Sequence, residues 1–142
     1  MILGFRLLRH KIHITVTNAL GQTSVNTYDT RDLLSSSEDP AGNTVYYGYD
    51  NAGRLTTQTD PNGNTVTTEY DAAGNVCKVI DAKGNTVSTT DYNGENKPIS
   101  VTDAAGSETV NGYDIAGNLT SVTDHTGEKT VYICDAAGRV RL

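Results

Sequence analysis

Tyr49-Asp50-Asn51-Ala52-Gly53-Arg54-Leu55-Thr56, followed shortly by Asp60-Pro61-Asn62-Gly63-Asn64-Thr65, is the stretch whose reading decides the fold. Each half contains an Asp-x-x-Gly tetrad. Asp is favoured at the first position of a type I turn, where its side chain accepts backbone N–H bonds, and Pro at the second, where φ is already near −65°. Gly at the fourth position supplies the left-handed residue that completes a bulged hairpin connection. Both halves therefore read as chain reversals.

The same tetrad recurs along the chain: Asp39–Gly42, Asp50–Gly53, Asp60–Gly63, Asp71–Gly74, Asp81–Gly84, Asp91–Gly94, Asp103–Gly106, Asp114–Gly117, Asp124–Gly127 and Asp135–Gly138. Asn18–Gly21 reads as an earlier copy, and Asp29–Asp32 as one with Asp in the glycine slot. All twelve Asp residues fall inside these tetrads, so position governs them and not solubility. The tetrads alternate in kind. One kind follows Tyr (Tyr28, Tyr49, Tyr70, Tyr113), and the other carries Pro or Gly-Asn, giving a full period of about 21 residues. A fixed period of this size marks a repeat architecture.

Six to eight residues separate successive tetrads, a normal strand length, and they are rich in Thr, Val and Tyr. Alternation puts Val45, Tyr47 and Tyr49 on one face, and Val66, Thr68 and Tyr70 repeat that face one period later. An apolar residue stands two places after the glycine at Leu55, Val76, Leu119 and Val140. The register slips between Asp81 and Asp114, where Asp91-Tyr92 inverts the Tyr-Asp order, Thr90 takes the Tyr slot and Pro98 enters a strand. That hairpin is expected to be irregular or at an edge. Gly48 and Gly112 precede Tyr at equivalent positions and are expected to admit a neighbouring ring or backbone. No helix is expected outside residues 1–12. The expectation is an all-β chain: an irregular segment 1–16, then hairpin repeats over 17–142 in five to six units, irregular near 88–112.

Hydrophobic residues are 36% of the chain, with no Trp and one Phe, which is poor stock for a thick core. Net charge is −6, which disfavours nucleic acid as a partner. Cys77 and Cys134 make no disulfide framework and show no metal-ligand spacing; both read as small buried hydrophobes. The start lacks the features of a signal peptide, and no stretch reaches the ~20 apolar residues of a membrane span. Localisation is thus not given by the residues themselves.

The two alternating motifs, Tyr49–Thr56 and Asp60–Thr65, resemble YD/Rhs repeats, and the resemblance covers about residues 17–142. It implies tandem antiparallel β-hairpins in an extended curved sheet, part of a hollow shell. Such shells occur in secreted or cell-surface proteins: bacterial Rhs polymorphic toxins, the C component of toxin complexes, and teneurins. It implies as partners further YD repeats or an enclosed toxin polypeptide. The family's DPxGL-type cleavage motif is not matched: both Asp-Pro tetrads, Asp39–Gly42 and Asp60–Gly63, continue with Asn. The chain reads as a truncated piece of a larger protein, its first dozen residues as a frameshifted or alternative start.

Each chemical reading is weaker than a structural one. An Asp-rich loop such as Asp60–Asn64 offers one carboxylate where calcium wants six to eight oxygens, so no metal and no cofactor are expected. The Tyr column suits cross-strand packing better than a glycan-binding stripe, although an adhesion or carbohydrate-binding module is the alternative reading. His10, His13 and His125 are the only histidines, and nothing places His125 with Ser121 and Asp124 in a catalytic set. The chain is read as no enzyme, and its exposed sheet edges are expected to promote self-association.

Overall fold

The computed structural model describes residues 11–134 and 139–141. Residues 1–10 fall outside them, with His10 and nearly all of the stretch left open to a helix; so do the tetrad Asp135–Gly138 and the side chain of Cys134. Every regular element described is a strand. They are β1 (Ile12–Thr17), β2 (Thr23–Tyr28), β3 (Leu34–Glu38), β4 (Thr44–Tyr49), β5 (Leu55–Thr59), β6 (Thr65–Tyr70), β7 (Val76–Ile80), β8 (Thr86–Tyr92), β9 (Pro98–Asp103), β10 (Glu108–Tyr113), β11 (Leu119–Thr123), β12 (Lys129–Val131), β13 (Ile133–Cys134) and β14 (Val140–Arg141). Sheet neighbours follow chain order from β1 to β12, and β13 pairs separately with β14. The fold is all-β, a run of tandem antiparallel hairpins, as the tetrad spacing implies. The chain divides into two compact units, 1–66 and 67–142.

In the first unit, β1 begins at Ile12, inside the stretch 1–16 read as irregular, and pairs in unbroken register with β2 from Ile12↔Tyr28 to Thr17↔Thr23. Each strand that ends in Tyr pairs that Tyr with the first residue of the next strand, Tyr28↔Leu34 and Tyr49↔Leu55. The register shifts there by one residue. The extra residues are Ser35 and Thr56, whose hydroxyls donate to the carbonyls of Thr27 (3.0 Å) and Gly48 (3.2 Å). Each bulge thus carries its own polar tie to the neighbouring strand. Tyr47↔Gln58 lies on the same face as Tyr49↔Leu55, while Tyr46↔Thr59 and Gly48↔Thr57 lie on the other.

In the second unit the same register recurs at Tyr70↔Val76, Tyr92↔Pro98 and Tyr113↔Leu119. Asp91 is a strand residue of β8 paired with Ser100, not the start of a turn. The turn runs from Asn93, and Asn96 (φ 60°), not Gly94, adopts the left-handed conformation. Tyr92, not Thr90, is therefore the Tyr of this repeat. The slip itself is one extra residue, Val87: the pairing passes from Val79↔Ser88 to Ile80↔Thr86. Pro98 neither breaks the array nor lies at its edge, since β9 pairs with both β8 and β10. It is the first residue of its strand, where a missing N–H is tolerated.

No described residue is buried. Side chains such as Val45, Tyr47, Tyr49, Leu55, Val79 and Leu119 are half-covered by neighbours in the same sheet, while Val16, Leu20, Tyr46 and Val131 are exposed, with no second layer among the described residues. Cys77 is accordingly half-buried in β7, not the buried hydrophobe expected. Stability in such a sheet comes from the ladder, the turns and cross-strand pairs such as Glu69↔Lys78, each pair contributing about 0.2–1 kcal/mol.

Candidate functional site

The turns are built alike. At Asp50 the N–H of Gly53 donates to the Asp50 carbonyl (3.1 Å), and the Asp50 N–H donates to the carbonyl of Arg54 (3.0 Å). Oδ1 of Asp50 accepts from the N–H groups of Ala52 and Arg54, both at 2.9 Å. Gly53 stands at φ 82°, a left-handed conformation that an L side chain adopts only at a cost. The same bonds close the turns at Asp39, Asp60, Asp81, Asp103, Asp114 and Asp124, and Asn18 and Asn93 act through their side-chain oxygens as Asp does elsewhere. Asp32 fills the glycine slot at φ 64°.

A fifth position belongs to the motif. The residue after the glycine binds the second carboxylate oxygen: the amides of Asn43, Asn64, Asn75, Asn85 and Asn118 donate to Oδ2 of Asp39, Asp60, Asp71, Asp81 and Asp114 at 2.8–3.1 Å. Arg54 does the same through Nε to Asp50 at 2.7 Å. The tetrad reading did not include this role, although Asn recurs at that position in the sequence.

These bonds hold the turn carboxyls below their ordinary value of 3.8. At Asp39, Asp60, Asp71, Asp81 and Asp114 the main cause is the Asn amide. At Asp29, Asp50 and Asp103 it is the backbone N–H four residues on, and at Asp124 the Thr126 hydroxyl. Each stabilises the carboxylate by donating to the charged form.

The two kinds of turn differ in what surrounds them. Turns that follow Tyr reach one another across one period. Arg31 Nη1 donates to the carbonyl of Asp50 at 2.6 Å, and Leu33 lies 3.6 Å from where a side chain at Gly53 would begin. In the second unit Asn75 Nδ2 donates to Asn96 Oδ1 at 2.9 Å and Lys97 Nζ to the Gly117 carbonyl at 2.7 Å. The residue after the glycine slot in one Tyr turn thus meets the left-handed residue of the next, at Leu33–Gly53, Asn75–Asn96 and Lys97–Gly117. At the intervening turns nothing lies within 4 Å of a Cβ built at Gly21, Gly42, Gly63, Gly84, Gly106 or Gly127.

The Tyr residues join this ladder. The hydroxyls of Tyr49 and Tyr113 donate to the carbonyls of Leu34 and Pro98, both at 2.9 Å and 15 residues back, and that of Tyr92 to Val76 at 3.0 Å. Partial burial pushes the Tyr49 phenol above its ordinary 10.0. Gly48 and Gly112 admit neither a ring nor backbone, but a hydroxyl. A Cβ at Gly48 would overlap Thr57 Oγ1, and one at Gly112 would lie 2.5 Å from Ser121 Oγ. His125 is exposed in its turn, and His13 Nδ1 lies 3.1 Å from Thr27 Oγ1 across the β1–β2 pair. Among the described residues no cluster of three or more His, Cys, Asp or Glu could hold a metal, and no helix is long and apolar enough to cross a membrane.

The chain matches the RHS repeat family over residues 28–65, 49–86, 92–124 and 113–142. No curated protein matches it in sequence. Among solved structures it is similar to a crystal structure of TcdB2-TccC3, with a TM-score of 0.67 and 21% identity over 82% of the chain. It is also similar to a crystal structure of TcdB2-TccC3-TEV, at 0.66 and 22% over 81%. A Tc holotoxin pore from Photorhabdus luminescens gives 0.51 and 17% over 86%. The chain spans 7% of the length of the first two and 9% of the third, and at these identities the likeness is one of fold. With its paired turns alternating along the sheet and the matched stretches reaching from Tyr28 to Leu142, the chain belongs to the RHS repeat family.

Proposed function

We propose that this chain is a wall segment of an RHS shell, one that borders a cavity and encloses a cargo polypeptide as part of a larger secreted protein. The observation that carries the reading is a sheet with no buried residue among those described, whose Tyr turns are nevertheless bonded to one another within each unit. A wall needs resistance to shear within the sheet, and hydrogen bonds between turns one period apart supply it. It needs no reactive group, so the role assigned is structural and not enzymatic. The commitment of the Tyr49, Tyr92 and Tyr113 hydroxyls to backbone carbonyls supports packing over glycan display for the Tyr column. In a wall, the neighbours of this segment are further repeats and the cargo.

The DNA flanking the reading frame tests this. Further in-frame YD repeats, or a toxin and immunity pair beside them, are expected. A solitary frame among unrelated genes, without relics of either, would overturn the wall role.

A further inference from the structure

We propose that β1 is a docking edge for a second copy of this chain, the two β1 strands pairing antiparallel about a twofold axis at Ile14. The first hairpin fixes which backbone groups of β1 face outward. The Asn18 N–H donates to the Gln22 carbonyl, which makes that pair a bonded one. Bonded pairs recur every second residue in an antiparallel ladder, so Val16, Ile14 and Ile12 turn their N–H groups toward β2. His13, Thr15 and Thr17 turn theirs the other way, toward an edge with no strand beside it among the described residues.

That edge has none of the usual protections. All six residues of β1 are exposed, and the strand contains no Lys, no Pro and no bulge. Ile12, Ile14 and Val16 are 47%, 46% and 58% exposed, and alternation sets all three on one face. The last strand of the array differs: β12 has three residues and opens with Lys129. Strand addition is therefore favoured at β1, and head-to-tail growth through β12 is not.

The sequence of β1 selects a second copy as the occupant because it is self-complementary. An antiparallel pairing centred on Ile14 sets Ile14 against Ile14, Ile12 against the second copy's Val16, and His13 against its Thr15. Apolar side chains meet apolar ones on one face, and polar residues meet on the other. The outward N–H and C=O groups of His13 and Thr15 fall opposite their counterparts, as a bonded pair requires. A one-residue shift would set His13 and Thr15, whose backbone groups face outward, against Ile or Val, whose groups face β2, and the ladder would not form. A contact in which one patch meets itself closes as a dimer and does not propagate. The pairing is a property of this chain by itself; repeats placed beside β1 in a larger wall would occupy the same edge.

Sedimentation of the full chain at micromolar concentration tests it, beside Thr15→Pro. Proline at Thr15 removes an outward N–H and leaves the β1–β2 ladder its donors, so circular dichroism should retain the strand signal. The wild type should sediment as a dimer and Thr15→Pro as a monomer. Ile14→Cys, made together with Cys77→Ser and Cys134→Ser, should link to itself under mild oxidation, because non-bonded pairs hold their Cα atoms about 4.5 Å apart, within disulfide reach. A monomeric wild type overturns the proposal, whether the edge stays bare or residues 1–10 occupy it. A dimer that survives Thr15→Pro, open-ended polymers, or failure of the Ile14→Cys link would overturn it equally.

Discussion

The turns after Tyr and the turns between them share one local design and differ in their surroundings. Asp50–Arg54 and Asp60–Asn64 make the same backbone bonds and the same carboxylate bonds, and both place glycine at positive φ. Among the described residues, hydrogen bonds to the counterpart one period away are made by the first kind, while the intervening turns at Asp103 and His125 interact electrostatically. The sequence around an isolated turn thus specifies its shape but not its place in a ladder: Asn64 and Asn75 fill the same slot and bond their own Asp alike, yet Asn75 also bonds the next Tyr turn. Arg31, Leu33 and Lys97 reach across to the next Tyr turn, and the Asn75 amide serves both its own Asp71 and Asn96. Asn43 and Asn64 spend their amides on their own Asp.

The largest effect that would sharpen this contrast is expected at Gly48. Gly48→Val forces a side chain onto Thr57 Oγ1 and should cost about 1–3 kcal/mol, read by chemical denaturation, because overpacking shifts the strand. A neutral result would show that β4 and β5 are looser than their register implies. Next come the left-handed glycines. Gly53→Ala and Gly63→Ala should each cost about 1–2 kcal/mol, and nearly the same amount, since the conformational penalty is local and shared by both kinds of turn. A much smaller loss at Gly63 would mean that the intervening turns relax out of the geometry described.

Smaller differences should separate the two kinds. Tyr49→Phe removes the bond to the Leu34 carbonyl and should cost about 0.5–1.5 kcal/mol. Tyr47→Phe, on the same face but with no hydroxyl bond among the described residues, should be near neutral. Asn75→Ala loses bonds to Asp71 and Asn96, whereas Asn64→Ala loses one to Asp60 alone. The excess at Asn75 should be about 0.5–1 kcal/mol, and equal losses would remove the turn-to-turn bond from the account.

Acid acts on both kinds together. The nine turn carboxyls described above titrate below 3.8 in the folded chain and near it when unfolded. Between those values the unfolded chain binds more protons, so stability rises with pH there. Their contribution is complete above 3.8 and is lost as pH falls through the folded values. Thermal melts should show the midpoint falling steeply only below 3.8. A midpoint that holds into that range would disconnect the carboxylates from stability.

Much of this was legible from residue types at fixed spacing. Asp, Pro and Gly have narrow turn preferences, so the tetrads and the strands between them could be placed from sequence. At Asp91–Gly94 residue type at fixed spacing misleads. The real turn replaces Asp with Asn93 and Gly with Asn96, two residues that do the same physical work, while Asp91 and Gly94 mimic the pattern two residues early. Tyr92 marked the true register, and Val87, an added residue absorbed as a bulge, concealed it. Besides their local ion pairs with Asp29 and Glu95, Arg31 and Lys97 bond carbonyls about one period away, which leave no local trace. The two Tyr-preceding glycines announced a close approach but not that hydroxyls, Thr57 and Ser121, would make it.

Amide hydrogen exchange, residue by residue, tests the central contrast most directly, because the glycine N–H is bonded within its own turn in both kinds. The amides of Gly53 and Gly117, in turns that their neighbours hold, should exchange more slowly than those of Gly42, Gly63, Gly84 and Gly127. Equal rates in the two sets, or slower exchange at the intervening turns, would contradict the claim that the Tyr turns form a bonded ladder.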